Sequence, residues 1–276
     1  MRVLVTTGAP RSTQLVWPEQ RPGEPLLTIA GSIPLDAMPA TLAVSVGNST
    51  LWFAHAVRQA LIDGGIEVTG DAYDVDDIAV QPDRGGAILY THRSPTLAEL
   101  AQPLLKDSIN LYGEAALRLN TARSAFPTND AALEGLKLRT AAWGIPADAW
   151  QIVDGSGLSR RNAIAPEVLV NVLERMYDAS GRSPWMTGLP LAGRDGTLAA
   201  RLRGTPAENN ARAKTGTMSN VRSLAGYVRG LDGEMFAFAI MVENFEGTGA
   251  TAVDAIDRIV ATLAGFSRAQ AAGRSK

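Results

Sequence analysis

Two apolar runs separated by a short glycine-bounded turn, near the C-terminal end, restrict the fold more than any other feature. Leu224-Ala225-Gly226-Tyr227-Val228 is closed by Gly230 and Gly233, and Phe236-Ala237-Phe238-Ala239-Ile240-Met241-Val242 follows. Runs of this kind around a Gly-containing turn predict an antiparallel hairpin at about 222–229 and 235–242. The segment leading into it is Arg212-Ala213-Lys214-Thr215-Gly216-Thr217. Lysine there supplies a positive charge for a carboxylate, and threonine adds a short hydroxyl donor. Glycine lets backbone approach a ligand, and the N–H of Thr217 is placed to meet a developing oxyanion. The plain alternative for the triplet alone is a loop lysine before a strand.

A second motif, Lys106-Asp107-Ser108-Ile109-Asn110, lies 106 positions upstream when Ser108 is measured against Lys214. Leu111, Ala115 and Leu119 follow at helical spacing, so Ser108 and Asn110 sit where a helix begins. Serine or aspartate at such a place also caps helices for purely structural reasons. Lys-Thr-Gly together with Ser-x-Asn gives two of the three motifs that mark penicillin-binding proteins and class A β-lactamases.

The chain resembles the class C low-molecular-mass penicillin-binding proteins, the D-alanyl-D-alanine carboxypeptidase/endopeptidases. The resemblance rests on Arg212–Thr217, Ser108 to Asn110 with Glu114, Asp154-Gly155-Ser156-Gly157-Leu158-Ser159, and Gly193-Arg194-Asp195-Gly196-Thr197-Leu198 with Arg201. Val221 to Val228 and the upstream Gly65-Ile66, Val68 and Gly70 complete it. One departure matters: no serine in the sequence has a lysine three positions on, so the family's Ser-x-x-Lys nucleophile motif is missing. With no export signal at Met1 to Pro10 either, the expectation is an N-terminally truncated piece of a longer protein.

The resemblance implies an α+β fold: a transpeptidase-like domain, an antiparallel sheet with helices packed on it, over 88–276. Residues 1–87 would be the β-rich remnant of an inserted domain. It implies serine-type D-Ala-D-Ala carboxypeptidase activity on peptidoglycan stem peptides through an acyl-enzyme, with β-lactams as inhibitors of the intact protein. Ser108, Asn110 and Lys214 are then the catalytic candidates, and Thr215, Gly216 and Thr217 the substrate-binding ones. Ser108 would relay a proton toward the leaving amine, and Asn110 would bond the substrate amide. Lys214 with Thr215 would hold the terminal carboxylate, and the Thr217 N–H would be one of two oxyanion donors. No metal or organic cofactor is implied, and the family works in the periplasm or outside the cell. A non-catalytic peptidoglycan- or partner-binding protein of the same fold is the alternative, and a β-lactamase a weaker one.

With 26 basic and 28 acidic residues and a net charge of −2, no basic stripe points to nucleic acid. Zero cysteine removes disulfides and thiolate chemistry. No stretch is long enough to span a bilayer. Short strands are expected at Leu4-Val5, Leu26 to Ile29, Leu42 to Val46, Ile66 to Gly70 and Ile88 to Tyr90, with a loop from Pro18 to Pro25. Helices are expected at about 50–63, from Leu97 until an interruption at Pro103, at 130–143, from Pro166 to about Ala179, and along Val253, Ile256, Val260 and Leu263. This last helix should pack on one face of the hairpin, with the Ser108 helices on the cleft side. Asp71 to Asp77 lacks the glycine and glutamate spacing of a calcium loop. His55 and His92 read as structural or surface residues, and the tail from Ser267 as frayed.

Overall fold

The computed structural model describes residues 1–21, 26–42, 44–79, 87–121 and 128–269. It divides into two units, Met1–Thr91 and His92–Lys276.

In the first unit, β3 (Thr28–Pro34) lies between β1 (Arg2–Gly8) and β2 (Leu15–Glu19). β1 runs parallel to β3 and β2 antiparallel. The expected Pro18–Pro25 loop is therefore corrected at its start: Pro18 pairs with Ile29 inside β2. β2 is an edge strand, where a residue without an N–H is tolerated. Residues 22–25 lie outside the described residues. Helix α1 (Ser49–Asp63) opens on Asn48, whose side chain accepts from the Leu51 amide, and closes at Gly64. Three expected strands are absent among the described residues. Leu42, Val44, Ser45 and Val46 form none, Ala43 lying outside the described residues. Ile66 to Gly70 forms no strand; Arg58 donates to two of its carbonyls, at 2.7 Å for Gly70 and 3.4 Å for Val68. Ile88, Leu89 and Tyr90 also form no strand and are 84, 96 and 82% exposed. Three apolar residues make a strand only when a partner edge is within reach.

In the second unit, α2 (Leu97–Lys106), α3 (Asn110–Arg118) and α4 (Asn129–Ala142) precede a two-residue strand pair, β4 (Trp150–Gln151) with β5 (Ala163–Ile164). Then come α5 (Pro166–Asp178), α6 (Arg182–Gly188), the strands β6 (Arg212–Met218), β7 (Val221–Arg229) and β8 (Met235–Glu243), and α7 (Gly249–Ala264). Pro103 does not interrupt α2, which runs three residues beyond it. A reciprocal capping box between Thr96 and Glu99 secures its start, and one lost backbone bond near the end is carried.

The main sheet is antiparallel, in the order β6-β7-β8. Side chains alternate across it. Leu224, Val228 and Phe238 face α7, which answers with Ala252, Ile256, Val260 and Ala264, one residue every four along a single stripe. Burying Ile256 and Val260 stabilises this face by about 1.5–3 kcal/mol each. Ala225, Tyr227 and Ala237 face the other way, onto Leu173 of α5 and Leu189 beyond α6. There the buried Tyr227 hydroxyl donates to the Leu173 carbonyl at 2.5 Å and accepts from Trp185 Nε1 at 2.9 Å. The covering helices on that face are therefore α5 and α6, with α2 packed on α6. Beyond α7 the chain is not frayed at once. Arg268 donates its amide to Asp232 at 2.8 Å and its guanidinium to Glu234 at 2.5 Å. Residues 270–276 lie outside the described residues.

Candidate active site

β6 is an edge strand, and its outer side is only partly covered. Ala213 donates its N–H outward to the Pro190 carbonyl at 3.1 Å, and Leu191 bridges Arg212. By the two-residue alternation of backbone groups, Thr215 and Thr217 turn their N–H and C=O outward too, past the point where Pro190–Ala192 ends. Lys214, opposite Ala225, projects from the face that carries α5 and α6. Thr215 and Thr217 project from the other face.

Lys214 Nζ donates to Ser108 Oγ at 2.7 Å and to its neighbour's carbonyl, Thr215 O, at 2.8 Å. Burial pushes the Lys214 ammonium below the ordinary lysine value, because a desolvated charge is disfavoured. Ser108 stands in the connection between α2 and α3 with φ +57, a left-handed conformation that costs a non-glycine residue about 1–3 kcal/mol unless its surroundings hold it. Asn110 is the first residue of α3 and exposed. Thr217 is exposed on the strand. Thr215 Oγ1 donates to Thr197 Oγ1 at 2.9 Å. Gly216 meets a protein neighbour: a Cβ there would lie 2.3 Å from Ser223 Oγ on β7. The close approach at Gly216 is thus to a rotatable hydroxyl within the sheet, and no backbone atom crowds the position.

Two further segments brace this arrangement. Lys106 Nζ lies 2.5 Å from Asp195 Oδ2, while Asp195 Oδ1 accepts from the Leu191 amide at 2.9 Å. Burial pushes the Asp195 carboxyl up, but the Lys106 and Leu191 hydrogen bonds and the charges of Lys106 and Arg212 outweigh it and hold it below the usual value. On α3, Glu114 Oε1 accepts from the Gly155 and Ser156 amides at 3.2 and 3.0 Å. Asp154 ties the following loop together, accepting from Gly157, Ser159 and Asn162 at 2.7–2.9 Å. Gly113 and Gly155 pack backbone to backbone. A Cβ on Gly155 would stand 2.2 Å from the Gly113 carbonyl oxygen.

The sequence profile of the D-Ala-D-Ala carboxypeptidase 3 (S13) family matches residues 2–264. The chain belongs to the S13 family. Among S13 relatives it is 34% identical over 272 residues to a D-alanyl-D-alanine carboxypeptidase of Actinomadura sp. (strain R39), covering 96% of this chain and 49% of that one. It is 32% identical over 250 residues to penicillin-sensitive carboxypeptidase A of Dictyostelium discoideum, covering 86% and 47%. Its fold matches penicillin binding protein 4 (dacB) from Haemophilus influenzae, whose crystal structure was determined in complex with a β-lactam. The TM-score is 0.80 at 24% identity, over 96% of this chain and 64% of that one. The α+β, penicillin-binding-protein-like fold is thereby shown. This S13 chain spans about half the length of the curated relatives it matches.

Ser108 and Lys214 are thus brought into contact, with Thr215 beside them, while Asn110 and Thr217 stand at the exposed margins of the same elements. Sequence reasoning assigned no role to Lys106, Asp195 or Thr197, although Asp195 and Thr197 lie in a segment that carried the resemblance to the family. In the acidic run, Asp74 is 7% exposed and accepts from Asn48 Nδ2 at 2.9 Å and the Asp76 amide at 3.2 Å, a structural role. His55 and His92 are exposed. A cavity of about 790 Å³ between α4 and the β4–β5 pair includes none of the candidate site residues.

Proposed function

We propose that this chain carries the substrate-holding and proton-relay part of a serine-type D-Ala-D-Ala carboxypeptidase acting on peptidoglycan stem peptides outside the cytoplasm. The observation that carries the reading is the Lys214–Ser108 contact at the open edge of β6. An ammonium has three protons to donate. Ser108 and the Thr215 carbonyl take two in the free protein, and the third is left for a terminal carboxylate. As the scissile amide breaks, the Ser108 hydroxyl gives its proton to the leaving amine nitrogen, and Lys214 restores it from the ammonium. The outward N–H of Thr217 is one donor for the tetrahedral oxyanion, and Asn110, at the start of α3, would bond the substrate amide. An extended peptide could also add to the outward backbone groups of Thr215 and Thr217 as a further strand.

The attacking hydroxyl of such a reaction belongs to a Ser-x-x-Lys pair, which this sequence does not contain. That feature favours a second reading: a non-catalytic protein that binds the same peptide. Residues 1–87 we read as the remnant of an inserted β-rich domain, and 88–276 as the transpeptidase-like part. Both readings require binding of a peptide ending in D-Ala-D-Ala, and the relatives' names and the β-lactam complex support that ligand class. Titrating the chain with such a peptide, followed by calorimetry or NMR, tests it. Saturable binding that Lys214→Met weakens by about 10-fold or more supports the proposal. Binding indifferent to Lys214, or no binding, overturns it.

A further inference from the structure

We propose that the Lys106–Asp195 ion pair is a clamp that seats the Ser108 hydroxyl on Lys214, so that both residues of the pair are positioning residues of the candidate site. The inference rests on the reading of Ser108 and Lys214 as site residues. Its support is a closed ring of contacts. Lys106 is two residues from Ser108, at the last turn of α2, and its ammonium lies 2.5 Å from Asp195 Oδ2. The other oxygen of Asp195 accepts from Leu191, which is bridged to Arg212 at the start of β6. Pro190, one residue earlier, receives the Ala213 amide. Thr197, two residues after Asp195, accepts from Thr215. The 190–197 segment therefore holds β6 on both sides of Lys214, through residues 213 and 215, and holds the Ser108 connection through Lys106.

The backbone is fitted to the same purpose. Gly196 has φ +53, and a Cβ there would meet the Lys106 carbonyl oxygen at 2.6 Å and its Cα at 3.1 Å. The turn and the end of α2 thus touch main chain to main chain, and the ion pair closes over that contact. Ser108 with its left-handed φ needs such support, since a non-glycine residue keeps that conformation only when its surroundings impose it. Ser108 in turn accepts from the partly buried Lys214 ammonium, and loosening the clamp would admit water in its place.

The sign of the response separates a clamp from a charge. Replacing Asp195 by Asn removes a negative charge, and by Coulomb's law alone that makes a nearby ammonium easier to deprotonate, lowering its titration midpoint. Releasing the Ser108 contact does the reverse, since a better hydrated ammonium titrates higher. The experiment is NMR of the full chain labelled with 13Cε-lysine. The sequence has only four lysines, Lys106, Lys137, Lys214 and Lys276, and Lys214→Arg assigns the signal of interest. The Lys214 midpoint should move up toward the ordinary lysine value in Asp195→Asn and return in Asp195→Glu. It should also move up in Gly196→Ala, which changes no charge and keeps the test alive if the Asn variant does not fold. Asp257→Asn breaks the comparable Arg201–Asp257 pair at 2.7 Å against α7 and should leave Lys214 unmoved. A downward shift or no shift in folded Asp195→Asn, or in folded Gly196→Ala, overturns the clamp. If Lys214 responds as stated while no D-Ala-D-Ala peptide binds, the clamp stands and the proposed function falls.

Discussion

Lys214 Nζ lies 2.7 Å from Ser108 Oγ, although 106 positions separate the two residues in sequence. The serine oxygen accepts from the ammonium, which leaves its own hydrogen free to point at a ligand. One side chain thus offers a charge and the other a mobile proton within a single hydrogen bond. The first consequence concerns affinity. Lys214→Met should weaken binding of a D-Ala-D-Ala peptide by about 10- to 100-fold, the value of a hydrogen bond to a charged group, about 1.5–3 kcal/mol. Ser108→Ala, which keeps the ammonium, should weaken it by less. Calorimetry on the three proteins checks the order, and equal losses would contradict it.

The pH dependence has two opposite signs. Burial lowers the folded-state pKa of Lys214. Between that lowered value and the unfolded one, the unfolded chain binds more protons, so stability rises with pH in that window; below it the burial cost is carried in full. Carboxylate affinity falls through the same lowered value, because the ammonium loses its charge. From neutral to alkaline pH, the wild type should gain thermal stability relative to Lys214→Met while its peptide affinity declines. Heating scans and titrations over one pH series test this, and a parallel fall of both would refute it.

Two glycines of the 154–159 loop should behave differently. Gly155→Ala places a Cβ 2.2 Å from the Gly113 oxygen and 2.9 Å from Glu114 Cα, backbone atoms that yield only if α3 shifts. Overpacking of that kind costs about 1–3 kcal/mol, and because Asn110 rides on α3 it should also weaken peptide binding. Gly157→Ala meets open space and pays only for its φ of +76, about 1–2 kcal/mol. Thermal unfolding together with peptide affinity should show binding lost in the first and kept in the second.

The chain should form no covalent adduct with a labelled penicillin. None of its serines has a lysine three residues on to make the hydroxyl nucleophilic. Ser108 Oγ accepts a hydrogen bond from Lys214 Nζ at 2.7 Å, which polarises the oxygen against attack. Intact-mass spectrometry after incubation checks this; a stoichiometric adduct on Ser108 or any other serine would identify a different nucleophile.

The hairpin, α5 and α7 were legible in the sequence because their apolar spacing is a local property, repeated over two or more turns or several strand residues. The Ser-x-Asn segment at the start of α3 was legible for the same reason, since helix entry is signalled within a few residues. Ile88 to Tyr90 and Ile66 to Gly70 misled, because a strand exists only where another edge accepts its hydrogen bonds, and no local pattern states whether one does. Pro103 and Pro18 misled in the opposite direction: the cost of a missing N–H is bearable near a helix end or on a sheet edge. Lys214 and Ser108 could be named as candidates from their motifs, yet their contact could not. Nor could the left-handed backbone of Ser108, the Lys106–Asp195 pair or the Gly113–Gly155 approach. Each depends on where elements separated by tens of residues come to rest, and only packing of α2, α3 and the 190–197 turn against β6 and the 154–159 loop decides that.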